Sequence, residues 1–383
     1  MLKQKFLIFS TFASLISLIV MLITQTPHPS FAKPQAISLG TWRVETVDKS
    51  RASEATTGGL QNPSLAIGSN GVPQIAYSDS EDGIVSKLTY TQKPGTTWVT
   101  TTVDAAAGEK PVLALNAQNQ PRIAYFDFAT DNLLRYRVFD GANWPQQTVI
   151  TGFSSVQASA DLALDSAGKP YIAFSSKDTV SYTLSLAVPS GISWTVEPVG
   201  NGVGSAPSLA LDSANQVHIS YQDTNSRTLS YALRTNTGWL TETVGEPDDA
   251  AIIGSSLVVD AANTPHIAYV NYPRKELVYA KRVNGAWVKE KVGSESQAVT
   301  LALDKTGAPH IAYIEPQTLR PIYAVRMNST WVTSTASTDA AAFISLALDP
   351  NGLPAIAYTD FDTGDLRLAR LSRSIVYMPL VRK

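Results

Sequence analysis

The chain has 383 residues, of which 44% are apolar, 16% charged and 9% aromatic, with a formal charge of −2. That is a globular composition, and without clustered Lys and Arg it lacks the electrostatic footprint of a nucleic-acid or anionic-lipid binder. The absence of cysteine excludes a disulfide framework, a thiolate metal site, a catalytic thiol and an acylated lipoprotein cysteine.

Residues 1–32 read as an export signal. Lys3 and Lys5 form the charged start, residues 6–23 the apolar run, and Ser30-Phe31-Ala32 a small-x-small cleavage site. The run just reaches membrane-spanning length, so an uncleaved anchor is the alternative. Pro27 and Pro29 favour cleavage by stopping the helix ahead of the site. The expected location is secreted or cell-surface, with no membrane contact beyond this segment. Residues 1–32 carry two lysines and no acid, so without them 28 basic residues face 32 acidic ones, a formal charge of about −4. An exported chain of this size without disulfides must be held by one closed core.

A strand at 41–47, opened by Trp42, comes next, followed by a Ser/Thr/Gly-rich loop to about Asn62. From there one unit repeats. Its aromatic landmark, ending an Ile-Ala-Tyr run, falls at Tyr77, Tyr125, Phe174, Tyr221, Tyr269, Tyr313 and Tyr358, at gaps of 48, 49, 47, 48, 44 and 45. Each unit reads as four strands. Ser-Leu-Ala-Leu (Ser208 to Leu211) is first, and an Asp-x-x-Gly/Asn turn with its last residue at positive φ follows. The second strand carries Ile-Ala-Tyr, the third Leu-x-Tyr-Ala (Leu229 to Ala232), and the fourth Trp-x-x-x-x-Val (Trp239 to Val244). No long helical period appears after the signal.

The tryptophans count the units. Trp98, Trp144, Trp194, Trp239, Trp287 and Trp331 open the fourth strand of units one to six, and the seventh unit, 345–371, has none. Trp42 supplies it from the other end of the chain. The expected fold is therefore an all-β, seven-bladed β-propeller of four-stranded blades over 41–371, closed by the N-terminal strand, with no open edge at the joint. A phasing with the tryptophan strand innermost also gives seven units. The outermost placement is preferred because the longest, most variable loops follow it. Residues 372–383 form a tail; its Ile375-to-Val381 stretch with flanking basic residues resembles the short endings of some exported bacterial proteins, or is an extra docked strand.

The consensus Leu-Ala-Leu-Asp-x-x-Gly-x-Pro-His-Ile-Ala-Tyr, then Leu-x-Tyr-Ala, then Trp-x-x-Glu-x-Val resembles the repeat of exported bacterial and archaeal propellers. Those are distantly similar to sialidase-like and fucose-lectin-like propellers, and the resemblance covers 41–47 and 63–371. The sialidase Asp box, Ser-x-Asp-x-Gly-x-x-Trp, is missing. A three-arginine carboxylate clamp has no place either, since Arg122, Arg135 and Arg137 crowd into one unit. No catalytic residue is carried over.

Four sets of side chains could carry chemistry. Two positions past each landmark stand Asp79, Asp127, Ser176, Asp223, Asn271, Glu315 and Asp360. Carboxylates around a funnel can bind a cation such as calcium or sugar hydroxyls, and in pairs can hydrolyse glycosides. A group repeated in nearly every blade is more simply a bracket for the backbone of the next loop. His218, His266 and His310 precede Ile in units four to six, too far apart at equivalent places to share one zinc ion. The tryptophans read as wedges between blades. The last set departs from the repeat, where function is grafted onto a fold. It comprises Phe128 and Asp131 of unit two, the unit-five loop 271–276 with Tyr272 and Arg274, and the unit-six loop 315–321 with Arg320. Phe128, Tyr272, Arg274 and Arg320 are the expected ligand contacts.

These readings favour a monomeric, exported binding module for glycan or a surface protein, with neither metal nor cofactor. A sialidase-like hydrolase or lyase using the carboxylate ring is the enzymatic alternative, and a structural surface component the third.

Overall fold

The computed structural model describes residues 39–49, 59–80, 86–129, 132–152, 158–177, 181–245, 252–294, 296 and 298–372. The expected export signal, Asp131 and residues 373–383 of the tail lie outside them. The described residues form seven antiparallel sheets of four strands. Blades 1 to 6 span 59–104, 109–150, 159–198, 205–243, 252–294 and 299–335. Blade 7 takes 341–372 and, as its fourth strand, Thr41–Asp48, with Trp42 opposite Leu371 and Val44 opposite Ala369. The fold is the seven-bladed β-propeller, zipped shut by the strand that the tryptophan count assigned to the last blade. Among the described residues no helix is long and apolar enough to cross a membrane.

Strand order within each sheet settles the phasing. The Ser-Leu-Ala-Leu strand pairs only with the second strand, and adjoining first strands bond to one another through side chains, so they line the axis. Leu65 N donates to Ser345 Oγ, Leu113 N to Ser64 Oγ, Leu257 N to Ser208 Oγ and Leu301 N to Ser256 Oγ, each at 2.9–3.0 Å and each across a blade boundary. Fourth strands are the exposed ones and second strands the most deeply buried. Trp144 stands just ahead of its strand, Gln146–Ile150, because Pro145 between them has no N–H to give a ladder.

The turns after the first strands follow the expected chemistry. Asp165, Asp212, Asp260, Asp304 and Asp349 each accept two backbone amides through Oδ1, from the residues two and four positions on. The residue three positions after the aspartate lies at positive φ: Gly168, Asn215, Asn263, Gly307 and Gly352, at 60–81°. Only Gly and Asn take that conformation at low cost.

Seven apolar clusters hold the ring, one at each blade boundary and each drawing on both neighbours. A blade alone would leave both faces of its sheet in water, so the blades can be stable only together. Tryptophan is the wedge: five pack edge-on against the third-strand tyrosine of the preceding blade, with centroids 5.1–5.5 Å apart in Tyr90–Trp144, Tyr136–Trp194, Tyr231–Trp287, Tyr279–Trp331 and Tyr323–Trp42. Blades 3 and 7 carry Leu186 and Leu368 in place of that tyrosine, and Trp239 and Trp98 pack in those clusters without an aromatic partner. Each such side chain buries on the order of 150–250 Å².

Candidate functional site

The polar ring lies at the ends of the second strands, and its side chains are engaged by their own loops. Asp223 Oδ1 accepts Asn225 N and Ser226 N; Asp360 Oδ1 accepts Asp362 N and Thr363 N; Asn271 Oδ1 accepts Arg274 N. Asp127, almost fully buried, accepts Ala129 N and pairs with Arg135 at 2.5–2.8 Å. Glu315 accepts the Thr318 hydroxyl, Ser176 bonds Thr183, and Asp79 sits on Pro73–Ser80 opposite Lys87. The carboxylates of Asp127, Asp223, Glu315 and Asp360 therefore shape their own loops. Arg122, Arg135 and Arg137 point to separate partners: two backbone carbonyls, Asp127, and Asp104 with the Tyr125 hydroxyl.

The three histidines are one buried device used three times. His218, His266 and His310 present Nδ1 to the hydroxyls of Tyr231, Tyr279 and Tyr323 at 2.5–2.6 Å. Their Nε2 atoms face the turn carboxylates of Asp212, Asp260 and Asp304 at 3.5, 3.1 and 3.6 Å. A neutral ring with the proton on Nε2 fits, the tyrosine donating to Nδ1. Burial pushes all three imidazoles below their ordinary pKa, against the smaller upward pull of the carboxylates. Blade 1 does the same with an amide: Tyr90 donates to Gln74 Oε1 at 2.6 Å. Among the described residues no three His, Asp or Glu side chains converge as a metal site.

Two features escaped the sequence reading. The Trp-x-x-Glu glutamate clamps the next blade: Arg282 binds Glu242 and Arg326 binds Glu290 through two nitrogens each, and Trp287 and Trp331 donate Nε1 to the same carboxylates. The second is Asp161, which replaces the first-strand serine in blade 3. It accepts Leu162 N, Leu209 N and the Ser208 hydroxyl at 2.8, 2.7 and 3.2 Å, and burial still pushes its carboxyl up to about 6. Only comparison of the aligned units could have flagged it, as the one acid at that place.

What remains on the polar-ring face is a set of exposed side chains on the loops between second and third strands. In blade 5 Tyr272 is 48% exposed, and Arg274 and Lys275 are exposed beside it; the equivalent loops of blades 4 and 6 present Arg227 and Arg320. Arg227, Lys275 and Leu319 hold one equivalent place at φ 54–58°, so these cations ride on the same turn in adjoining blades. Phe128 differs: it stacks on buried Phe126 at 5.5 Å and packs against the blade 2–3 cluster, away from the other three. The landmark tyrosines also divide. Tyr77, Tyr125 and Tyr358 donate to Asp48, Asp104 and Asp339 at 2.5–2.7 Å. Glycine stands at the matching places, Gly200 and Gly293, where an added Cβ would lie 3.7 and 3.4 Å from the Tyr221 and Tyr313 hydroxyls. The Tyr221 hydroxyl accordingly borders an open cleft of about 500 Å³ with Asp223, Ser230 and Asn201.

No family model and no curated protein matches the sequence. Solved structures do. An ulvan lyase, a polysaccharide lyase bound to -[GlcA(1-4)Rha3S]-, superposes with a TM-score of 0.58 at 14% identity, over 87% of this chain and 98% of that one. AofleA from Arthrobotrys oligospora gives 0.52 at 10% identity, over 77% and 89%. A protein of unknown function from Dyadobacter fermentans gives 0.51 at 10%, over 86% and 99%. At these identities the likeness is one of fold.

Proposed function

We propose that the chain is an exported glycan-binding module, its ligand lying across the loops between second and third strands in blades 4 to 6. The observation that carries this reading is the arc of exposed cations on adjoining loops of blades 4 to 6, with the exposed Tyr272 on the middle one. Arginine and lysine donate to sugar hydroxyls and acidic substituents, and an exposed aromatic ring offers a face to the C–H side of a pyranose. The polar cleft bordered by Tyr221 and Asp223 runs beside this arc, along the outer strand of blade 4. The likeness in fold to a polysaccharide lyase solved with a uronate-containing chain supports a glycan over a protein ligand. Binding is favoured over hydrolysis because Asp127, Asp223, Glu315 and Asp360 are engaged as acceptors within their own loops.

The test is a glycan array probed with the mature chain, Tyr272→Ala, and Arg274→Ala/Arg320→Ala. Retention of acidic polysaccharides, lost in both variants while the melting temperature holds, is expected. Binding that survives both variants, or no binding to any glycan at high protein concentration, overturns the reading.

A further inference from the structure

On the opposite face, the turns after the first strands seal the gaps between neighbouring blades, and they do so in two ways. Asn at the positive-φ place accepts an amide from the preceding turn: Ser69 N to Asn119 Oδ1 at 2.8 Å, Ser166 N to Asn215 Oδ1 at 3.2 Å and Ser213 N to Asn263 Oδ1 at 3.1 Å. Where Gly stands there, the preceding turn packs onto it. A Cβ added at Gly71 would lie 3.9 Å from Pro350, at Gly168 3.8 Å from Asn116 and at Gly352 3.7 Å from Asp304. Gly307 is the exception, with nothing within 4 Å of an added Cβ. The boundary between blades 5 and 6 is left open, and two adjoining clefts of about 310 and 340 Å³ occupy it, both lined by Thr306 and Gly307.

The chemistry of that opening is one-sided. Its three carboxylates already accept from the protein: Asp260 from Ala262 N, Thr264 N, His266 and Lys281; Asp304 from Thr306 and Ala308 N; Glu290 from Arg326 and Trp331. The donors are not used up. Lys305 is exposed at the mouth, Lys281 is 38% exposed, and Arg326 gives only Nε and Nη2 to Glu290. Val283 and Val288, 41% and 49% exposed, supply an apolar wall on the blade 5 side. We infer that this opening is a second ligand site, distinct from the loop face, which takes a small carboxylate of sugar-ring size such as a uronic acid. The anion meets Lys305 and Arg326, and the ring lies against the valines. Each cleft alone is at the lower end of the volume that small-molecule sites occupy.

Gly307→Asn tests this directly. It installs at Gly307 the residue that seals three other boundaries, where a new side-chain carbonyl would accept from Ala261 N at a φ that Asn tolerates. Calorimetric titration of the mature chain with D-glucuronate is expected to show millimolar binding, with D-glucose and acetate far weaker. Gly307→Asn should abolish it with an unchanged or higher melting temperature. Lys305→Gln should weaken it by about tenfold, the loss of one charge-assisted bond, and Tyr272→Ala on the far face should leave it unchanged. Absence of glucuronate binding, or binding undiminished in a folded Gly307→Asn or in Lys305→Gln, overturns the assignment.

Discussion

The axial belt of hydrogen bonds predicts a coupling between two residues that do not share a blade. By the pattern of Leu113 N and Ser64, Leu162 N of blade 3 should be accepted by residue 112 of blade 2, but Val112 has no hydroxyl. Asp161 repairs this by accepting both its own Leu162 N and the Leu209 N of blade 4. The repair places a carboxylate beside the axis, where burial raises its pKa from 3.8 to about 6. For an acid whose folded pKa is raised, ionisation weighs against the fold. The penalty is absent below pH 3.8, grows as the pH rises, and is complete above about 6, where it reaches on the order of 3 kcal/mol as an upper bound. Asp161→Ser removes that penalty but leaves Leu162 N without an acceptor, a loss of about 1–3 kcal/mol, so at pH 8 the single variant should lie near wild type. Val112→Ser alone gives up roughly 1–1.5 kcal/mol of packing and gains no bond, since Leu162 N is already taken. Together the two serines restore the regular belt, and the double variant should exceed the sum of the singles by about 1–2 kcal/mol. Urea unfolding of all four proteins at pH 8 and pH 4 measures this. The gain from removing the acid should shrink to below about 1 kcal/mol at pH 4, while the coupling persists. Additivity within about 0.5 kcal/mol at both pH values would refute the belt as the reason for Asp161.

Two further outcomes follow from the same contacts. The fold favours neutral His218, His266 and His310, so their contribution is complete above the unfolded pKa of 6.5 and is lost as the pH falls below it. Replacing all three by Gln, the residue blade 1 uses against Tyr90, should flatten the fall in melting temperature between pH 7 and pH 5; an unaltered slope would mean the histidines are not its source. Deleting 41–48 strips the fourth strand from blade 7, bares the edge at Leu366–Ser372 and removes Trp42 from the blade 6–7 boundary. That protein should aggregate or dimerise through the open edge, and a monomer with the parent's melting temperature in size exclusion and calorimetry would contradict strand closure as the lock.

Architecture was legible because it is written seven times. The landmark spacing fixed the blade count, and the place of the one tryptophan outside the repeat fixed how the ring closes. Side-chain partnerships were less so, because they run between blades and a single unit does not reveal its neighbour's contribution. The Trp-x-x-Glu glutamate is visible in the repeat, yet its use requires knowing that Arg282 and Arg326 lie on the next blade. Phe128 shows the converse. Its departure from the repeat marks it as a candidate ligand contact, and its half-buried ring stacks on Phe126 while lining a cleft of about 150 Å³ with Ser86 and Ala107. Sequence marks a deviation but does not give its neighbours.

Agreement among deviations separates the structural ones from the rest. In blades 1, 4, 5 and 6 the third-strand tyrosine goes with Gln74, His218, His266 or His310 behind it, because a hydroxyl buried against the next tryptophan needs a partner; blade 2 has Arg122 at that place behind Tyr136. Where the third strand has Leu186 or Leu368, that need disappears, and the place holds Tyr171 or Ala355. Val112 and Asp161 compensate in the same manner across a boundary. Arg227, Arg274 and Arg320 vary from blade to blade at exposed places on adjoining loops. On the proposed reading they serve a ligand, the role a departure from the repeat takes when it lies on an exposed loop.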